Sequence, residues 1–286
     1  MASLKLFISA TRRLFGLNRT VQDMEDVVPK RAFTFVETKP DEAIYEICIK
    51  LKNVRGAVAK TAKVLSDANI NIRTSMLFED IKKSSTGYWT SFVDFSKTRN
   101  VKELEEKLRT LDVVEAVKIV QPQPLVYDVI HFPVMHGNST AIILPSALLG
   151  SLFEEIEKIL TPSGFAAVFY NAGKKSGASM AALIAERYEL KGESLKQALI
   201  QTTKAIGWGQ LEDLRLNSEK VSGYVKMRNC FEAVLKGQRR EPACHWTRGF
   251  IAGFLGKVVG KPVEAVELKC AAVGDETCDF ELKPKI

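Results

Sequence analysis

The run A-I-Y-E-I-C-I-K-L-K-N-V-R-G-A-V-A-K-T-A-K-V-L-S-D-A-N-I-N-I (Ala43–Ile72) decides how the first half of the chain folds. Tyr45, Ile47, Ile49 and Leu51 alternate with Glu46 and Lys50, so Ala43–Leu51 reads as a strand with one apolar face. Cys48 falls on the polar side as a small, half-buried residue. Asn53-Val54-Arg55-Gly56 then makes a turn into a helix, Ala57–Ala68. Its stripe of Val58, Ala62 and Leu65 follows the i, i+4, i+7 spacing of one helical face. Ile70–Phe78 returns to strand.

Outward from this run the pattern repeats. A polar turn (I-K-K-S-S-T-G, 81–87) leads to a strand at Tyr88–Phe95. A charged helix follows at Val101–Leu111, with Val101, Leu104 and Leu108 as its apolar positions, and then a strand at Val114–Val120. The order βαββαβ predicts a ferredoxin-like split βαβ unit with its helices on one face of an antiparallel sheet. The other sheet face lacks cover in so small a unit, and pairing with a second copy is the expected remedy.

Leu51–Ile72 resembles the ACT domain, a small-molecule-binding regulatory module. Asn53, Gly56, Ala57, Asn71 and Ile72 match the family pattern; Arg55 stands at its usual proline, and Ala68-Asn69 replaces its common glycine. The resemblance implies amino-acid binding at a dimer interface, with Asn53, Val54, Gly56, Ala57 and Asn71 as ligand-binding residues. The chemistry is consistent with that. Gly56 permits close backbone approach, and a helix N-terminus offers free N–H groups to a carboxylate.

Gln121-Pro122-Gln123-Pro124 marks a linker, because each proline removes a donor and biases its predecessor to extended backbone. The expected organisation is an arm (1–30), an ACT-like domain (31–120), the linker (121–124) and a second domain (125–286). In the second domain, 125–134 is an apolar extended stretch and 145–160 a helix. Residues 165–170 read as a short buried strand, and Gly173 and Gly177 as flanks of a basic turn into a helix at 178–188. Another helix covers 193–206. A hairpin (211–216, 222–228), a helix from Pro242 to Val259 and a final hairpin (263–270, 277–282) complete it. Gly249 and Gly253 sit at a spacing that lets another backbone lie close. The class is α+β, with a mixed α/β second domain.

Cys244, Cys270 and Cys278 are three of the five cysteines and gather near the C-terminus. A hairpin brings Cys270 and Cys278 together, and Cys244 lies near a helix start, where partial positive charge favours a thiolate. Glu267 completes a four-coordinate set suited to zinc. Its position at i−3 from Cys270 requires the strand to bend or end there, because i and i+3 on a regular strand face opposite ways. His245 is the competing fourth donor. Cys230 lies outside the spacing and reads as a buried apolar residue.

Cys244 with E-L-K-C-x7-C resembles the 4-vinyl-reductase-type domain, which also forms the effector-sensing part of bacterial aromatic-responsive regulators. The resemblance spans Leu125–Leu282. It implies structural zinc on Cys244, Glu267, Cys270 and Cys278, and a fold like that of vesicle-tethering (TRAPP) subunits. It also implies an interior site for a small apolar molecule, and frequent dimerisation. Trp208 and Trp246 read as core, His131 and His136 as surface or satisfied histidines.

Net charge is +7, with basic and acidic residues interspersed, which argues against a nucleic-acid footprint. No apolar run is long enough for a membrane helix, and residues 1–16 lack a secretory core. The expected setting is the cytoplasm, with reduced cysteines. No dinucleotide fingerprint or phosphate loop occurs. The leading expectation is therefore a non-catalytic, homodimeric small-molecule sensor acting on a separate regulatory partner. A reductase-type enzyme acting on a hydrophobic substrate and a basic nucleic-acid adaptor are the alternatives.

Overall fold

The computed structural model describes residues 36, 38–39, 41–80, 83–97, 100–136 and 139–285. The arm expected at 1–30 lies outside them. The described residues form two compact units, divided between Ile142 and Ile143. The protein is α+β.

The first unit contains β1 (Ile44–Lys52), α1 (Ala57–Asp67), β2 (Asn71–Glu79), β3 (Thr86–Asp94), α2 (Val101–Arg109) and β4 (Val114–Val120). The strands pair antiparallel in the order β2-β3-β1-β4, the topology expected of the split βαβ unit. Gly56, at φ 82°, turns the chain into α1 in a left-handed conformation that costs glycine little. Asn100 caps α2: its side chain accepts the Glu103 N–H at 3.1 Å. Ile47, Ile49 and Leu51 of β1 pack with Leu65, Leu104 and Leu108 from the helices, so the helices cover this face of the sheet.

The other sheet face finds cover within the chain. The stretch after the prolines, read above as the opening of the second domain, packs on the first unit instead. The Val36 N–H donates to the Val126 carbonyl at 3.0 Å, and the Val129 N–H donates to Glu46 Oε2 on β1 at 3.0 Å. A short ribbon, β5 (Met135–His136) with β6 (Ser139–Thr140), precedes the division. Proline composition signals a break in regular structure but not which side its neighbours pack on.

The second unit contains α3 (Ser146–Ile159), α4 (Pro162–Tyr188), α5 (Gly192–Ala205), β7 (Gln210–Asn217), β8 (Ser222–Arg228), α6 (Phe231–Lys236), α7 (His245–Val259), β9 (Val263–Lys269) and β10 (Cys278–Pro284). A 3-10 turn at Ala271–Val273 joins the last two strands. The sheet is antiparallel, in the order β7-β8-β10-β9.

The expected strand at 165–170 and turn at 173–177 are one continuous helix, α4. Thr161 caps it, accepting the Gly164 N–H at 3.1 Å. Its buried positions are Phe165, Phe169, Gly173, Gly177, Ala181 and Ile184, an i, i+4 stripe whose middle is glycine. A Cβ at Gly173 or Gly177 would overlap the α7 backbone, and a Cβ at Gly249 or Gly253 would overlap the α4 backbone. The two helices therefore cross in direct backbone contact. Glycines usually read as turn residues here serve packing, and the close approach offsets their low helix propensity. Helix α7 begins at His245, three residues after the expected Pro242, and is buried along most of its length.

Candidate metal centre

Four sulfurs converge where α7 starts beside the β9–β10 hairpin. Cys244 Sγ lies 3.7 Å from Cys270 Sγ, 3.6 Å from Cys278 Sγ and 3.6 Å from Cys230 Sγ. All four cysteines are buried and none is in a disulfide. Ligand atoms of Cys244, Glu267, Cys270 and Cys278 fall within 4.8 Å of one another. Sulfurs held about 2.3 Å from one tetrahedral ion stand about 3.8 Å apart, close to the spacing seen.

Local structure explains the convergence. Strand β9 ends at Lys269, and the pairing slips between Asp279 and Phe280, so Lys269 faces Asp279 while Glu267 faces Phe280. This bulge removes the geometric conflict between Glu267 and Cys270. Asp275 Oδ2 accepts the Cys270 N–H at 2.9 Å, and Gly274, at φ 106°, lets the chain turn back to Cys278. The Ala271 N–H points at Cys278 Sγ at 3.3 Å and favours its thiolate form.

Two buried carboxylates hold the start of α7. Glu232 accepts the N–H groups of Trp246 (3.1 Å) and Thr247 (2.8 Å). Glu267 Oε2 accepts the Cys244 N–H at 2.9 Å, while its Oε1 is buried without a hydrogen bond. An orphan oxygen in a dry site costs free energy unless it finds a partner, and a cation supplies one. The donor set thus fits a metal ion.

The electrostatics of the ion-free cluster agree. Burial, then the charge of Cys270, push the Glu267 carboxyl up to about 9. Burial, then Cys230, raise Glu232 to about 7. Hydrogen bonding to Cys244 draws Cys230 and Cys270 down, and hydrogen bonding from Cys230 pushes Cys244 and Cys278 up. Sulfurs this close cannot all ionise without a cation.

His245 does not join the set. Its ring stands edge-on to Phe165 with centroids 6.0 Å apart, its Nδ1 is buried and unpaired, and burial followed by Arg248 lowers it to about 4. Cys230, read from the sequence as an isolated apolar residue, is brought in by the chain reversal after β8. Its Sγ also meets Thr247 Oγ1 at 3.5 Å. No sequence spacing signals it, because the approach runs through strand pairing between β8 and β10. Trp208 and Trp246 are core: they meet edge-to-face at 4.8 Å and both pack on Phe250.

The ligand residues expected in the first unit do not all meet. Asn53, Val54, Gly56 and Ala57 share the turn before α1. Asn53 Nδ2 donates to Ser84 O (3.0 Å) and Glu79 Oε1 (3.3 Å). Asn71 pairs with Asp94, at the end of the sheet where β1 begins, while Asn53 follows the end of β1. About eight strand residues, roughly 27 Å, separate the two ends.

Residues 224–284 match the model of the 4-vinyl-reductase domain, a stretch that holds all four converging cysteines and Glu267. The second unit carries a 4-vinyl-reductase domain. A relative, the uncharacterized protein MJ0150 of Methanocaldococcus jannaschii, is 28% identical over 135 residues, 46% of this chain and 74% of its own. Among solved structures, the phenol-responsive sensory domain of the transcription activator PoxR, bound to phenol, is 20% identical. It covers 53% of this chain and 80% of its own, with a TM-score of 0.47. The ACT domain of GTP pyrophosphokinase from Chlorobium tepidum is 23% identical over 28% of this chain and 99% of its own, with a TM-score of 0.24. No helix among the described residues is long and apolar enough to cross a membrane.

Proposed function

We propose that the protein is a non-catalytic, small-molecule-responsive regulator whose 4-vinyl-reductase unit is stapled by a structural zinc ion. The observation that carries the zinc reading is the closed donor set with the orphan Glu267 Oε1 among three thiols. Cys244, Glu267, Cys270 and Cys278 would hold the ion, and zinc would supply a cross-link rather than a reaction, since four protein donors leave no position for substrate. Cys230 stays outside this set as a neutral S–H beside the Cys244 thiolate. The staple ties the start of α7 to the last hairpin and braces the aromatic core around Phe250. The effector of this unit would be a small apolar molecule, a reading that the family match supports.

The first unit would read an amino acid at the Asn53–Ala57 turn, through backbone groups, since the Asn53 side chain is already engaged. Output would pass through a homodimer to a separate partner in the cytoplasm. Native mass spectrometry of freshly purified protein tests the whole reading, because it reports metal, co-purified ligand and subunit number together. One zinc per chain in a dimer is expected, and Cys278→Ala should lose it. Metal-free protein that melts unchanged would remove the zinc staple. An amino-acid screen without any thermal shift would remove the ACT-like site.

A further inference from the structure

A second polar cluster lies in the first unit, on the sheet face away from the helices. Glu46 of β1 is fully buried there, beneath the segment that carries Asp128 and His131. We propose that Glu46, Asp128 and His131 form a second metal site, for a divalent transition ion bound through oxygen and nitrogen. It is separate from the thiol cluster and does not rest on the zinc reading.

The backbone presents each donor. The Val129 N–H holds Glu46 Oε2 at 3.0 Å. The N–H groups of Ile130 and His131 hold Asp128 Oδ1 at 3.1 and 3.0 Å. Glu46 Oε1 is left buried with no hydrogen bond, 3.7 Å from His131 Nδ1. That ring nitrogen lies 3.0 and 3.1 Å from the two Asp128 oxygens. One ligand atom from each residue falls within 4.8 Å of the others. Donors about 2.1 Å from a common ion stand about 3.0 Å apart at a right angle and about 3.4 Å apart at the tetrahedral angle. The observed separations bracket these.

The other ring nitrogen is oriented as in a metal-bound histidine. His131 Nε2 sits 3.2 Å from Thr90 Oγ1 and 3.6 Å from Cys48 Sγ, both on the same sheet face. A partner on the remote nitrogen fixes the tautomer that frees Nδ1 for an ion. Lys50, the neighbouring cation on this face, is paired with Asp80 and Glu115 and does not neutralise the cluster. Without an ion, the cluster balances its charge with protons. Hydrogen bonding to Asp128 raises His131 to about 11, and burial raises Glu46. One divalent ion replaces those two protons and gives Glu46 Oε1 its missing partner. Two carboxylates and an imidazole without sulfur select manganese, iron, cobalt, nickel or zinc rather than a thiophilic ion. Three protein donors leave coordination positions for a small anionic or hydroxyl ligand.

The test is a titration of the full chain, with the thiol cluster already loaded with zinc, against Mn2+, Co2+, Ni2+ and Zn2+. Bound metal is read by mass spectrometry and the His131 ring nitrogens by 15N NMR. One further ion per chain is expected, with loss of the Nδ1 proton signal and release of protons to the buffer. Glu46→Gln and His131→Gln should each lose that ion and keep the zinc. A chain that takes up no further ion, with both His131 nitrogens still protonated in excess metal, would overturn the proposal and leave a structural ion pair. The NMR readout on the unaltered chain decides the matter even if a variant fails to fold.

Discussion

At the scale of single residues, partners fix what each group does. His245 follows a metal-donor candidate in sequence, yet burial and the cations Arg248 and Lys236 hold it neutral, with its pKa lowered to about 4. The sign follows directly. Between about pH 6.5 and pH 4 the unfolded chain binds a proton that the folded chain refuses, so stability is lost as pH falls through that window. His245→Gln should flatten this acid limb in melting experiments run from about pH 7 to about pH 4, with the zinc content unchanged at neutral pH. Cys230 and Cys278 differ in the same way despite similar burial. Cys230→Ala should retain one zinc per chain by elemental analysis, whereas Cys278→Ala should not. Retention in both variants would reassign the donor set.

Among elements, the decisive contact is the crossing of α4 and α7. Gly173 and Gly177 face the α7 backbone, and Gly249 and Gly253 face that of α4. A methyl group at this contact must push two buried helices apart. Gly253→Ala should therefore destabilise the unit by at least about 3 kcal/mol, read by denaturant titration. Alanine at Gly56 acts through backbone strain instead, because its Cβ meets open space but its φ is 82°; a loss of about 1 kcal/mol is expected. Glycine had opposite meanings at these positions. At Gly56 the turn reading matched the structure, with Asn53 before it and an alanine-rich run after. At Gly173 and Gly177 the same residue type, flanked by lysines, looked like a turn while serving as half of a packing stripe. Periodicity in apolar side chains cannot register a residue whose contribution is to have none.

For the whole molecule, two compact units with separate cores predict separable unfolding. A chelator strong enough to compete with thiolates should lower the melting transition of the second unit by many degrees and that of the first by far less. Calorimetry with and without chelator, using Trp89 as the reporter in the first unit and Trp208 and Trp246 in the second, checks this assignment. A single transition that shifts as one would contradict it.

The sequence by itself determined what depends on local order. That includes the alternating strand Ala43–Leu51, the βαββαβ progression, the cap and glycine turn into α1, and the grouping of Cys244, Glu267, Cys270 and Cys278 around a terminal hairpin. Each rests on neighbours within one or two elements, where periodicity and turn chemistry act. Tertiary structure alone decided the rest. It carried the segment after the prolines back across the first sheet and joined Glu46 to Asp128 and His131. It brought Cys230 beside the other thiols, and it placed Asn71 at the far end of the sheet from Asn53. It also made a helix of a glycine-rich stretch because a second helix needed to pass there. These outcomes depend on which surfaces meet after the chain folds back, and residues far apart along the chain carry no spacing that announces it.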